Sequence, residues 1–169
     1  MKIRDRIKSF RRVKASELLP NPRNWRRHPE GQREALRGLL AEIGFAGAAL
    51  ARETDHGLML IDGHLRAELA PDAKVPVLVL DVTQAEADKL LATFDPVGKM
   101  AEADPEALQA LLAEIDTESE ALRVMLDALA AEAGTGPLPE SADGKEVDES
   151  IANGVKMQTC PKCGHEFPV

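Results

Sequence analysis

Between residues 58 and 70 the chain runs Leu58-Met59-Leu60-Ile61-Asp62-Gly63-His64-Leu65-Arg66-Ala67-Glu68-Leu69-Ala70. This stretch constrains the fold more than any other. Four successive apolar residues read as a buried strand. Asp62-Gly63 turns the chain, and a helical pattern starts at once. A strand that stops in glycine at a helix start turns free backbone N–H groups outward, a ready anion site. Arg66 follows within the first turn, where its forked guanidinium can grip a phosphate. The same residues also make an ordinary turn, with Arg66 paired to Glu68 or Asp62.

The formal net charge of −8 argues against nucleic acid, but the charge is unevenly spread. Residues 1–37 carry twelve Lys/Arg against four acids, while the remainder carries nine against twenty-five. Such asymmetry suggests a basic arm that meets phosphates, and the alternative is an arm folded against the acidic part of its own chain or of a second copy. The candidate DNA contacts are Arg4, Arg6, Lys8, Arg11, Arg12, Arg23, Arg26 and Arg27. No run approaches the ~20 apolar residues of a membrane span. The N-terminus lacks a signal peptide's apolar centre, so a cytoplasmic chain with no membrane partner is expected.

Five segments follow from the patterning. Residues 1–12 form the basic arm, and Val13–Leu19 a short strand and turn. Pro20-Asn21-Pro22-Arg23-Asn24-Trp25 is rigid loop. A helix follows His28-Pro29 and runs to Ile43, with Leu36, Leu39, Leu40 and Ile43 on one stripe, and Gly44 is placed for a left-handed cap. Residues 48–53 and Leu58–Ile61 make a hairpin about Asp55-His56-Gly57. Val75–Leu80 is a strand whose Pro76 suits a start or an edge. Thr83 and Glu86 have capping-box spacing, and that helix is expected to end at Asp95-Pro96. This domain, residues 13–100, is followed by a helical extension over 101–133, opened by Asp104-Pro105. Residues 134–155 are a flexible acidic linker and 156–169 a cysteine-bearing tail. The fold class is α+β: a small mixed sheet with packed helices, then a C-terminal helical pair and a disordered tail.

The order loop, helix, hairpin, glycine turn, helix, strand resembles the ParB N-terminal/sulfiredoxin-like superfamily over about residues 11–100. The matching pieces are Leu18–Asn24, His28-Pro29-Glu30-Gly31-Gln32 and Leu60–Ala67. The chain is most similar to small ParB-like proteins of phages and prophages, often labelled "ParB-like nuclease", which also end in a Cys-Pro-x-Cys-Gly-His-Glu-Phe tail. That resemblance implies a bacterial host cell, a nucleotide or phosphate site at the Gly63 turn, and a DNA methylase or other phage protein as a partner. In partition proteins the box reads Gly-Glu-Arg-Arg-x-Arg and holds CTP; in sulfiredoxins it reads Gly-Cys-His-Arg, with a catalytic cysteine. Gly63 and Arg66 match both. His64 stands where the Cys or Glu would be, so sulfiredoxin chemistry is excluded. Leu65 and Glu68 replace two of the partition box's arginines.

The candidate nucleotide or phosphate site is Asp62, Gly63, His64, Arg66 and His28, with Asp62 a candidate Mg²⁺ ligand beside a triphosphate. His64 can donate a hydrogen bond to phosphate, act as a catalytic acid or base, or be satisfied by backbone. In the tail Cys160, Cys163 and His165 make half of a zinc site, which a closed tetrahedron needs another side chain or a second chain to complete. The expected function is nucleotide binding at Gly63–Arg66 with DNA association through the basic segment. An NTPase, a kinase or, less favoured, a nuclease on the same site is the enzyme alternative. A non-catalytic adaptor is the third, and the amphipathic helices after residue 104 leave room for a homodimer.

Overall fold

The computed structural model describes residues 3–134, 157–159 and 161–168. Two units separate, Met1–Gly136 and Pro137–Val169. The first holds β1 (Ile7–Lys14), α1 (Glu30–Glu42), β2 (Ala49–Thr54), β3 (Gly57–Asp62), α2 (His64–Leu69), β4 (Lys74–Leu80), α3 (Gln84–Gly98), α4 (Pro105–Ala113) and α5 (Glu120–Glu132). Its four strands form one mixed sheet in the order β1-β4-β2-β3. β4 runs antiparallel to β1 and parallel to β2, and β2 and β3 form the expected hairpin.

The alternation of side chains along a strand gives this sheet two apolar faces. Val75, Val77 and Val79 of β4 join Ala49, Ala51 and Leu60 on one face, closed by Ala15, Leu18 and Ala67. Ile61 sits on the other face with Ala87 and Leu91 of α3, flanked by Leu50 and Leu80. Each fully buried valine contributes roughly 1.5–3 kcal/mol. The small Ala49 and Ala51 let α2 and the Gly63 turn approach the sheet.

Three expectations are corrected. Residues 7–12 are not a free arm: they belong to β1, paired with β4 from Ile7↔Leu80 to Lys14↔Lys74. This edge strand is largely exposed, so its lysines and arginines face solvent and mask the period. Pro76 lies in an interior strand rather than at an edge. Its missing N–H is tolerated because the β2 ladder begins only at Val77. Asp95-Pro96 does not end α3, which runs to Gly98. A proline in the last turn forfeits little of the helical ladder.

Contacts distant in sequence dock α5 on α1. A Cβ on Gly38 would overlap the Ser119 hydroxyl, so only glycine admits the close helix crossing. Glu42, at the end of α1, accepts hydrogen bonds from the Thr117 hydroxyl at 2.6 Å and from the Glu118 and Ser119 N–H groups at 3.1 Å. These bonds, the Thr117 hydroxyl first, hold its carboxyl below the usual range.

The Thr83–Glu86 capping box forms as expected. Glu86 also receives the fork of Arg6, at 2.8 and 2.9 Å, tying the start of the sheet to α3. Arg6 first, then Thr83, pulls the Glu86 carboxyl down to about 2. A depressed carboxyl contributes stability above its unfolded pKa of about 4.3 and loses it as pH falls toward the folded value. The melting temperature of Glu86→Gln should therefore lie below that of the native chain near neutral pH, with the gap closing between about pH 4.3 and 2. A gap that does not vary with pH would remove Arg6–Glu86 from the acid response.

In the second unit β5 (Met157–Thr159) and β6 (Glu166–Pro168) form an antiparallel hairpin. Cys163 is a free, exposed thiol and His165 is exposed. Cys160 and residues 135–156, which include nearly all of the expected linker, lie outside the described residues. Among the described residues, no three His, Cys, Asp or Glu side chains gather as a metal site. No helix among them is long and apolar enough to cross a membrane.

Candidate functional site

The Gly63 turn opens into a cleft. Gly63 caps α2 at φ 87°, ψ 19°, the left-handed region. A Cβ there would lie 2.8 Å from Ala49 Cβ, so conformation and packing both require glycine. The cleft beside it, about 300 Å³, is walled by Leu36, Leu39 and Leu40 of α1, by residues 43–47 that follow it, and by Asp62–Arg66. Arg26, His28 and Asp95 also line it.

Two guanidiniums converge on Asp62. Arg66 Nη2 lies 2.9 Å from Asp62 Oδ2, and Arg26 Nη1 lies 3.9 Å from Oδ1. Arg26 is largely buried, at 12% side-chain exposure. Its Nε stands 2.8 Å from Asp95 Oδ2 but outside hydrogen-bonding alignment, its Nη2 donates to the Leu91 carbonyl at 3.3 Å, and it packs over the Trp25 ring. Gly47 lets Arg66 through: a Cβ there would meet Nη1 at 3.0 Å. The cleft thus balances two fixed cations against two carboxylates, with two histidines beside them.

His64 accepts a hydrogen bond at Nε2 from the Asn21 N–H, at 3.2 Å. A ring nitrogen that accepts carries no proton, which leaves the proton on Nδ1. Burial pushes the His64 pKa down, and Arg26 and His28 add to this against the opposing pull of Asp62. The imidazole is therefore neutral near pH 7. His28 Nδ1 lies 3.0 Å from Gln32 Oε1.

All five residues of the expected nucleotide site, Asp62, Gly63, His64, Arg66 and His28, line this cleft. Glu68 does not: it points back to Arg33 of α1, at 2.7 Å. Sequence reasoning missed the Phe45-Ala46-Gly47 loop, Asp95, and above all Arg26, which it assigned to DNA. The paired glycines 44 and 47 after α1 were a usable signal for the loop. Of the other basic residues, Arg6 pairs with Glu86, Lys8 and Arg11 with Glu53, and Arg23 with Asp88. Only Arg4, Arg12 and Arg27 of the eight make no ion pair among the described residues, and Arg12 lies over the Phe10 ring.

The fold is a mixed α+β architecture of ParB-like type. No family model matches the chain, and no curated protein matches it. Among solved structures it is similar to the C-terminally truncated chromosome-partitioning protein ParB from Caulobacter crescentus, crystallised with CTP-γ-S. The TM-score is 0.54 at 20% identity, covering 72% of this chain and 79% of that one.

Proposed function

We propose that this chain binds a nucleotide, through its phosphates, in the cleft at Gly63–Arg66. The observation that carries this reading is the convergence of Arg66 and Arg26 on Asp62 beside a glycine turn that admits no side chain. The ParB of like fold crystallised with CTP-γ-S supports it. An anionic ligand would take over the guanidiniums that Asp62 now holds, and charge-assisted contacts to phosphate are the strong ones. His64 would add a neutral donor through Nδ1, a binding role in preference to proton transfer. Among the described residues Asp62 and Asp95 are the only carboxylates lining the cleft, and arginine engages both before any ligand arrives. DNA contact through the N-terminal segment would rest on Arg4, Arg12 and Arg27 and is subordinate here.

The test uses Trp25. It is the only tryptophan in a chain without tyrosine, and it stacks on Arg26 at the cleft. Titration with CTP, ATP, GTP or pyrophosphate should change its emission saturably. The ligand that binds should also raise the melting temperature, with about 2.7 kcal/mol of stabilisation at a hundredfold excess over Kd. No change in emission or melting with any of them at millimolar concentration would overturn the reading.

A further inference from the structure

The helices after residue 100 concentrate two properties. Residues 101–134 hold nine Asp/Glu against a single basic residue, Arg123. Between α1 and α5 lies a groove of about 610 Å³, walled by Ala35, Leu36 and Leu39 on one side and Leu122, Met125 and Ala128 on the other. Val124 and Met125 on its lip are 58% and 45% exposed. Positions 124, 125, 128 and 129 share one helical face. By the same spacing Glu120 and Asp127 run along the Val124 edge, and Glu132 stands seven residues beyond Met125, at the end of the face. Asp127 and Glu132 make no ion pair among the described residues.

The groove is a built feature. Gly38 against Ser119, and Glu42 capping the start of α5, fix the separation of its two walls. Contiguous apolar surface rimmed by charge marks an interaction site. A second copy of this surface is an unsuitable occupant, because it would bring a second Glu120, Asp127 and Glu132 against the same rim.

We propose that the α1–α5 groove docks a basic amphipathic helix of another protein. Apolar anchors at i, i+3, i+4 and i+7 would fill the groove, and Lys/Arg flanks would face Glu120, Asp127 and Glu132. Methionine at the centre suits such a surface, because its flexible thioether adapts to irregular anchors. The groove shares Leu36 and Leu39 of α1 with the nucleotide cleft but opens toward α5, and the proposal does not rest on nucleotide binding.

The probe is a dye-labelled Leu/Lys amphipathic peptide of about 18 residues, five helical turns, followed by anisotropy with the full chain. The same peptide with Glu for Lys is the control. The basic peptide should bind saturably, one per chain, more weakly as salt rises, and the acidic one should not bind. Met125→Asp makes the rim more negative while spoiling the apolar wall. Docking predicts at least a tenfold loss, whereas attraction by charge alone predicts equal or tighter binding and overturns the proposal. Should Met125→Asp alter thermal melting, Val124→Asp decides by the same criterion. Absence of binding by the native chain, or a dimer in light scattering that Met125→Asp splits, would also overturn it.

Discussion

Gly63→Val is expected to destabilise the domain by roughly 2–6 kcal/mol. Two terms add. A β-branched residue held at φ 87° carries backbone strain of about 1–3 kcal/mol. Its Cβ would also sit 2.8 Å from Ala49 Cβ and 3.1 Å from Ala49 Cα, and forcing atoms into a packed site costs typically another 1–3 kcal/mol. Ala49 is fully buried on β2 and cannot retreat without moving the sheet. Against a total of about 5–15 kcal/mol, this loss can unfold the chain outright. Gly31→Ala is the matched control. Gly31 is the second residue of α1, and an added Cβ there meets nothing within 4 Å beyond its own helix backbone and chain neighbours, so alanine should stabilise, by no more than about 0.5–1 kcal/mol, through helix propensity. Denaturant melts of the two variants should therefore move in opposite directions. A Gly63→Val melt within experimental error of the native one would mean that the turn is not the tight crossing described here.

Arg66→Ala is expected to weaken nucleotide binding by roughly 10–100-fold, the loss of one charge-assisted contact of ~1.5–3 kcal/mol. The residue is half-buried and held on Asp62 at 2.9 Å, so its guanidinium is ordered before any ligand arrives. Removing it also leaves Asp62 facing the cleft with only Arg26, at 3.9 Å, to offset its charge. That unscreened carboxylate repels phosphate and adds to the loss. Arg66→Lys keeps the charge without the fork and should fall between. Arg23→Ala removes a cation paired with Asp88, which does not line the cleft, and should leave Trp25-monitored affinity unchanged. Unchanged affinity in Arg66→Ala would sink the proposed site. Equal losses at Arg23 and Arg66 would reduce it to general attraction by charge.

Much of the fold was legible because its signals are local. The stripe Leu36, Leu39, Leu40 and Ile43 placed α1. The Thr83–Glu86 box and the Asp104-Pro105 cap placed the starts of α3 and α4 to the residue. Asp55-His56-Gly57 set the hairpin, and the glycine after four apolar residues located the turn that organises the cleft. Each of these depends on groups within about four residues of one another, where spacing alone decides whether side chains and backbone meet.

The remainder was decided by pairings that no short window contains. β1 looked like a basic arm because an exposed edge strand carries its cations outward, and only the partner strand 60–73 residues away shows it to be sheet. Pro76 could enter an interior strand because β2 stops one residue short of it. Arg26 looked like a DNA contact until the fold delivered Asp62 and Asp95 to it. Glu42 caps a helix that begins 78 residues later, a bond that exists only once α1 and α5 have packed. The sequence by itself therefore determined the elements, their caps and the glycine turn, since those follow from backbone stereochemistry and neighbouring side chains. Only the tertiary structure decided where each charge was neutralised, because a long arginine side chain reaches whichever carboxylate the packing of the core brings near.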